Sequence, residues 1–228
     1  MKYENIVQGR FLERPNRFIA HVEVSGEKVI AHVKNTGRCK ELLVPGAILY
    51  LQDFGANHPT RKTRYDVIAV EKGELLINMD SQAPNKVFAE WAQAGGFVPG
   101  LTLLRSEAVY GSSRFDFYWE AGDRKGFVEV KGVTLEYDGH TSFPDAPTQR
   151  GVKHLGELIT AIDAGYEAAV CFVIQMEGMH DLTPNDTTHP AFGDALRKAA
   201  AAGVRVLAME CAVTPDTLNI TKEIPVLL

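Results

Sequence analysis

In the first third of the chain, apolar positions recur every second residue in short runs. Residues 17–24 and 28–34 alternate in this way around Ser25-Gly26-Glu27, which predicts a β-hairpin. Three more short strands are predicted over 47–53, 64–71 and 74–79, the last two joined by the tight turn Lys72-Gly73. Five short strands in about 80 residues describe a small barrel, and the five-stranded oligonucleotide-binding (OB) barrel is the common type that fits. Residues 35–43 read as a turn into a short helix or loop, closed by Pro45-Gly46.

Beyond Gln82-Ala83-Pro84-Asn85 the pattern changes, which divides the chain into domains 1–81 and 82–228. Asn85 is placed to cap a helix running to Ala94, with Val87, Phe88 and Trp91 as its apolar stripe and Gly95-Gly96 as its stop. A strand is predicted over 103–110. Residues 113–131 then show aromatic and β-branched flanks around turn chemistry, the pattern of a second hairpin. Residues 132–147 read as a long loop, either an ordinary crossover or a segment that contacts substrate. Thr148 is a good N-cap for a helix to Ala164, with Val152, Leu155, Ile159 and Ile162 as the buried stripe. Arg150, Lys153, His154 and Glu157 fall on a neighbouring face. A continuous apolar strand over 168–175, a helix over 191–202 and a strand over 204–209 complete the order. The expected fold class is α/β, more strictly a two-domain α+β chain: an OB-like barrel, then a restriction-endonuclease-like mixed sheet flanked by helices.

Composition is that of an ordinary globular protein, with 45% hydrophobic and 23% charged residues. No apolar run approaches the roughly 20 residues of a membrane span, and no signal-like h-region is expected at the start. Cys39, Cys171 and Cys211 are scattered and form no Cys-x-x-Cys pair, which predicts neither a zinc site nor a disulfide framework. Cys171 is expected in the core, and the expected compartment is a reducing cytoplasm. The net charge of −5 does not mark a generic nucleic-acid binder, but its distribution is uneven. Residues 1–81 hold 12 Lys+Arg against 10 Asp+Glu, a net of +2, and the remaining 12 and 19 leave −7. The first domain is therefore the better place for phosphate contacts.

The densest chemistry lies in the second hairpin. Asp116 is on its first strand, and Glu129 and Lys131 are on its second, two apart and on one face. A turn centred near Asp123 and Arg124 would set Asp116 opposite Lys131, give or take a residue. Paired carboxylates on strands suit a hard cation such as Mg²⁺ or Mn²⁺, with the Val130 carbonyl and Glu107 as further ligands. A neighbouring ammonium can orient a water or offset phosphate charge. Asp, a gap, then Glu-x-Lys is the PD-(D/E)xK nuclease pattern, although Phe115 rather than Pro precedes Asp116. Taken alone, the string also fits a solvated strand face. For nucleic acid, the barrel connections offer Arg38, Lys40, Arg61 and Lys62. The helix after the long loop offers Arg150, Lys153 and His154, in rows four residues apart. Its N-terminal amides and Arg150 suit a phosphate, and His154 a proton. A solvated helix face with a Lys153–Glu157 pair is the alternative.

Four stretches together resemble one family: residues 35–38 (Asn-Thr-Gly-Arg), 113–117 (Ser-Arg-Phe-Asp-Phe), 129–135 (Glu-Val-Lys-Gly-Val-Thr-Leu) and 143–155 (Phe-Pro-Asp-Ala-Pro-Thr-Gln-Arg-Gly-Val-Lys-His-Leu). The chain resembles the sugar fermentation stimulation proteins of bacteria and archaea over essentially its whole length. The resemblance implies an OB-like domain followed by a PD-(D/E)xK nuclease-like domain, DNA binding, and a regulatory role in the use of sugars such as maltose. That family usually has Ser after Glu-Val-Lys, where this chain has Gly132, so a hydroxyl contact is expected to be missing. Two functions remain open: a DNA-binding regulator with a nuclease-like metal site, and a Mg²⁺-dependent nuclease acting on DNA or RNA. A purely structural adaptor would leave Asp116, Glu129 and Lys131 unexplained. No oligomeric state is legible.

Overall fold

The computed structural model of the chain describes residues 1–35, 37, 39–55 and 61–228. Six strands come first: β1 (Ile6–Asn16), β2 (Ile19–Val24), β3 (Glu27–Val33), β4 (Ile48–Asp53), β5 (Tyr65–Lys72) and β6 (Leu75–Asn78). They follow the order β3-β2-β1-β4-β5-β6, and β3 also pairs with β5 in parallel from Ala31↔Tyr65 to Val33↔Val67. That pairing closes β1–β5 into a five-stranded OB-like barrel around Phe11, Val22, Leu49, Leu51 and Val67. The fifth stave is thus β1, where the pattern predicts no strand, while the predicted strand at 74–79 lies outside the ring. Only Gly9 and Phe11 of β1 are fully buried, which hides its alternation. Gly9 is a close-approach position, since a Cβ there would lie 2.6 Å from Val22 Cγ1.

The second domain follows as α1 (Ala83–Gln93), β7 (Leu103–Tyr110), β8 (Ser113–Ala121), β9 (Arg124–Val133), β10 (Glu136–Tyr137) and β11 (His140–Phe143). It continues with α2 (Gln149–Asp163), β12 (Glu167–Ile174), β13 (Asp181–Pro184), α3 (Pro190–Ala201), β14 (Arg205–Val213) and β15 (Leu218–Ile224). Its mixed sheet runs β15-β14-β12-β9-β8-β7, with β9, β12 and β14 parallel. α2 and α3 cover one face through Leu155, Leu158 and Phe192, and α1 covers the other through Val87 and Phe88. The buried strand Glu167–Ile174 has the continuous apolar run expected of a strand covered on both sides, with Cys171 fully enclosed. Burial pushes the Cys39 and Cys211 thiols up to about 12, so they are packing groups rather than nucleophiles.

Three local expectations are corrected. The predicted loop over 132–147 contains β10 and β11, which pair with each other, and β11 pairs in turn with β13 to make a small three-stranded sheet. Strands of two to four residues are too short to show a period. α1 begins at Ala83 behind Gln82, so Asn85 sits inside the first turn rather than capping it. α2 does start behind Thr148, whose hydroxyl accepts from the Gly151 N–H at 3.0 Å. Its fully buried face, however, is Gly151, His154, Leu155, Leu158 and Ala161, so His154 is an inward residue.

A polar network ties the two domains together. Lys34 Nζ lies 2.5 Å from Asp80 and 3.7 Å from Asp66, and both carboxylates are nearly inaccessible. Asp80 also accepts from the Tyr3 hydroxyl at 3.2 Å and the Gln82 N–H at 2.9 Å. Gln175, at the end of β12, donates to the Asn78 side chain at 3.0 Å and to the Asp80 carbonyl at 3.1 Å. Lys72 reaches Glu136 on the small sheet at 2.5 Å.

Candidate metal centre and its surroundings

The β8–β9 hairpin turns at Gly122 and Asp123, with Gly122 at φ +62° and Ala121 paired with Arg124. This turn centre is one residue earlier than expected, and each residue of turn shift moves a cross-strand partner by two. The ladder therefore brings Phe117 opposite Val128 and leads Asp116 towards Glu129, not Lys131. Beyond Phe117 the backbone pairing stops. Asp116 Oδ2 instead accepts the Val130 N–H at 2.8 Å, and its Oδ1 accepts from Asn85 Nδ2 at 2.8 Å.

The strand changes faces at this point. Phe115 packs in the core under α2 while Phe117, two residues on, packs in the core under α1. Residues two apart normally share a face. Across the ladder, Glu107 holds φ +58°, a left-handed conformation that bulky residues avoid. The local irregularity aims the Asp116 side chain along the sheet, where it can meet the β9 backbone.

Glu129 is 3% exposed. Its Oε1 receives the Lys131 ammonium and, at 2.5 Å, His154 Nδ1. Arg150 Nε donates to His154 Nε2 at 3.3 Å. A guanidinium cannot accept, so Nε2 is the acceptor and the ring proton is on Nδ1, donated to Glu129. The other carboxylate oxygen, Glu129 Oε2, is buried and has no hydrogen-bond partner among the described residues. Burial pushes the Asp116 carboxyl up, and the Glu129 charge adds to this; the Val130 amide, Lys131 and Asn85 only partly offset it. For Glu129 burial also pushes upward, but the His154 hydrogen bond and Lys131 outweigh it and leave the group below the usual range. Two adjacent carboxylates thus differ in charge tendency.

Those features fit a divalent cation. Glu129 Oε2 is a buried carboxylate oxygen with no partner, it stands beside the half-buried Asp116 carboxylate, and the one ammonium at hand, Lys131, is taken by Oε1. Asp116 and Glu129 would hold the ion. The Val130 carbonyl lies on the same edge of β9 as its N–H, which already points at Asp116. Glu107 is not brought in: it is largely exposed and paired with Arg114 Nε at 2.8 Å. Among the described residues no group of three or more His, Cys, Asp or Glu side chains is arranged to hold a metal.

Beside this pair, a cleft of about 570 Å³ is lined by Ser112, Ser113, Arg114, Arg150, Lys153 and His154. Arg150 and Lys153 are exposed there, and Lys153 lies 3.7 Å from Glu157. Sequence reading missed Arg114 and Asn85; Arg114 is two residues from Asp116, and Asn85 carried only a capping signal. In the barrel, Lys40 and Lys62 are exposed. Arg61 is spent internally: it pairs with buried Asp66, and its guanidinium lies 3.7 Å from the centre of the Phe54 ring. Arg38 lies outside the described residues. Gly132 leaves no room for the serine hydroxyl, since a Cβ there would be 2.5 Å from Gln175 Oε1 and 2.7 Å from Pro84 Cγ.

Residues 12–79 match the model of the SfsA N-terminal OB domain, and residues 82–217 match that of the sugar fermentation stimulation protein RE domain. This chain belongs to the sugar fermentation stimulation protein family. A family homolog from Desulfitobacterium hafniense is 59% identical over 219 residues, covering 96% of this chain and 95% of that one. One from Ruminiclostridium cellulolyticum is 52% identical over 228 residues, covering both chains fully. Among solved structures, that of Pyrococcus furiosus SfsA in complex with Ca²⁺ superposes with a TM-score of 0.90 at 26% identity, covering 100% of this chain and 98% of that one. Among the described residues no helix is long and apolar enough to cross a membrane.

Proposed function

We propose that this family member binds DNA and holds a divalent cation at Asp116 and Glu129 in a PD-(D/E)xK nuclease-like site. The unpartnered, buried Glu129 Oε2 beside Asp116 carries this reading. The calcium named for the Pyrococcus furiosus relative supports it. When bound, Mg²⁺ or Mn²⁺ would polarise a phosphoryl oxygen and acidify a water. The protein's own part is to orient and to balance charge. Arg114, Arg150 and Lys153 offer cations to phosphates entering the cleft. His154 fixes the Glu129 carboxylate, and Arg150 fixes the His154 ring. Regulation of sugar use, including that of maltose, would act through this DNA binding.

A second reading, phosphodiester hydrolysis, is favoured by Lys131, whose ammonium shares Glu129 with the proposed ion and keeps 20% side-chain exposure. On that reading, Lys131→Ala removes cleavage while Mn²⁺ binding persists. The DNA reading is tested by fluorescence anisotropy across a salt series. Affinity is expected to fall steeply with salt, because cations meeting phosphates release counterions. Replacing Lys40, Lys62, Arg150 and Lys153 with Ala should flatten the slope by several counterions without moving the melting temperature. Salt-independent binding, or none, would overturn the reading.

A further inference from the structure

The metal-centre chemistry leaves two singled-out stretches unused, residues 35–38 and the Phe-Pro-Asp-Ala-Pro run. The fold brings Asn35 and Gly37 of the first and Phe143 and Asp145 of the second to one place. A cavity of about 150 Å³ lies where the barrel meets the second domain, with Asn35 and Gly37 on one side and Gly132–Leu135, Phe143 and Asp145 on the other. Ser81, Ser142 and Gln175 complete it. Three of the four stretches by which the chain resembles its family therefore share one wall system. We propose that this cavity receives one unstacked base of single-stranded DNA, an assignment that rests on the nucleic-acid reading above.

The lining decides the chemistry. It holds two carboxamides, three hydroxyls and the Asp145 carboxylate, and among the described residues no Lys or Arg. Gln175 Nε2 is spent on Asn78 and Asp80, Asn35 Oδ1 on the Gly37 amide, Ser81 on the Lys34 carbonyl and Ser142 on Thr183, which leaves Gln175 Oε1, Asn35 Nδ2, the Thr134 hydroxyl and Asp145 for an occupant. A phosphate would be repelled by Asp145. A neutral group with donors and acceptors around its edge is matched, and a nucleobase is such a group. Asp145 has no hydrogen-bond or ion-pair partner among the described residues and is free to accept from a base N–H. The size is below the roughly 300–1,000 Å³ of drug-sized sites, which limits the occupant to a small ring system. Two glycines let the polar walls approach the backbone: a Cβ on Gly37 would come 2.4 Å from Asp145 Oδ2, and one on Gly132 would come 2.5 Å from Gln175 Oε1.

The surroundings supply the rest of a nucleotide. Gly37 is also a wall of a cleft of about 520 Å³ that holds Arg17 and Lys40, so a base in the cavity has cations beside its phosphate. Arg14 fixes that shared wall, donating to the carbonyls of Gly37, Asn35 and Arg17 at 3.1, 2.8 and 2.7 Å. A free sugar could use the same hydroxyls and amides, but it would make no use of the adjoining cations. On the other side, Gly132 directly follows Lys131. A base inside a duplex is stacked and paired, so the occupant comes from a single strand.

The test uses the full chain and two labelled single strands of about a dozen nucleotides, one ordinary and one fully abasic, read by anisotropy. The ordinary strand is expected to bind wild type about tenfold more tightly, within the range found for base contacts in single-strand sites. Asp145→Ala, an exposed position, and Ser142→Leu, which fills the cavity, should each bring the two strands to near equality with an unchanged salt slope. Equal binding of both strands by wild type overturns the base site and leaves the DNA reading standing. Retention of the tenfold difference by both variants, at wild-type melting temperature, has the same effect. Displacement of the ordinary strand by millimolar glucose would mark a sugar site and overturn the assignment. If neither strand binds in a salt-dependent way, the DNA reading fails as well.

Discussion

Glu129→Gln is expected to abolish the heat of Mn²⁺ binding, a loss of more than about a hundredfold in affinity. The substitution keeps an acceptor for Lys131 and His154, so the side-chain scaffold survives. It removes the negative charge whose second oxygen, Oε2, has no partner in the buried site. Asp116 alone then faces Lys131, and one carboxylate cannot offset a dication beside an ammonium. The same change gives a readout that needs no metal. The Glu129 charge is one of the causes that raise the Asp116 carboxyl, so Asp116 should titrate lower in the variant, as followed by carboxyl NMR shifts. In wild type an ion would bind the ionised form. Affinity should be full above the raised Asp116 pKa and fall as pH drops through it, at a higher pH than for an ordinary aspartate. Equal heats from both proteins would remove the cation from the account.

Lys34→Ala is expected to cost about 3–5 kcal/mol of stability, the usual effect of removing one partner from a buried ion pair. Lys34 Nζ lies between Asp80 and Asp66, which are 1% and 2% exposed. Without it Asp80 keeps, among the described residues, only neutral donors, the Tyr3 hydroxyl and the Gln82 amide. For a chain of this size such a loss lowers the melting temperature by roughly 6–20 °C. Urea denaturation of the two proteins measures it directly. A change below about 1 kcal/mol would show that water replaces the ammonium, and that the junction is wetter than its burial indicates.

The order of helices and long strands was legible because alternation and the 3.6-residue stripe are strong over eight or more residues. β15 was not: only Leu218 and Ile224 at its ends are fully buried. In the site, the spacing of Asp116, Glu129 and Lys131 was legible, but the partner across the hairpin depended on a single turn residue. Apolar spacing leaves His154 on the face beside the buried stripe because it scores polar residues as solvated, yet His154 is 3% exposed against Glu129. Arg61 has the sequence signature of a phosphate contact because its buried partner, Asp66, sits in an apolar strand and gives no local signal. Glu107 pairs with Arg114, seven residues away across the tight β7–β8 turn, a contact that alternation alone does not reveal.

Glu129, Lys131 and Gly132 lie on one strand, which pairs with β12 without a register shift from Glu129↔Val170 to Val133↔Ile174. A strand held in that way does not stretch, and its four residues from 129 to 132 span at most roughly 14 Å. A polynucleotide engaged at both ends of this span would be gauged as well as gripped. The backbone position presented to the carboxylates would stand a constant step from the base lodged at Gly132, whatever the letters between. Such a protein would act as a ruler, with a selectivity counted in nucleotides from an unpaired base.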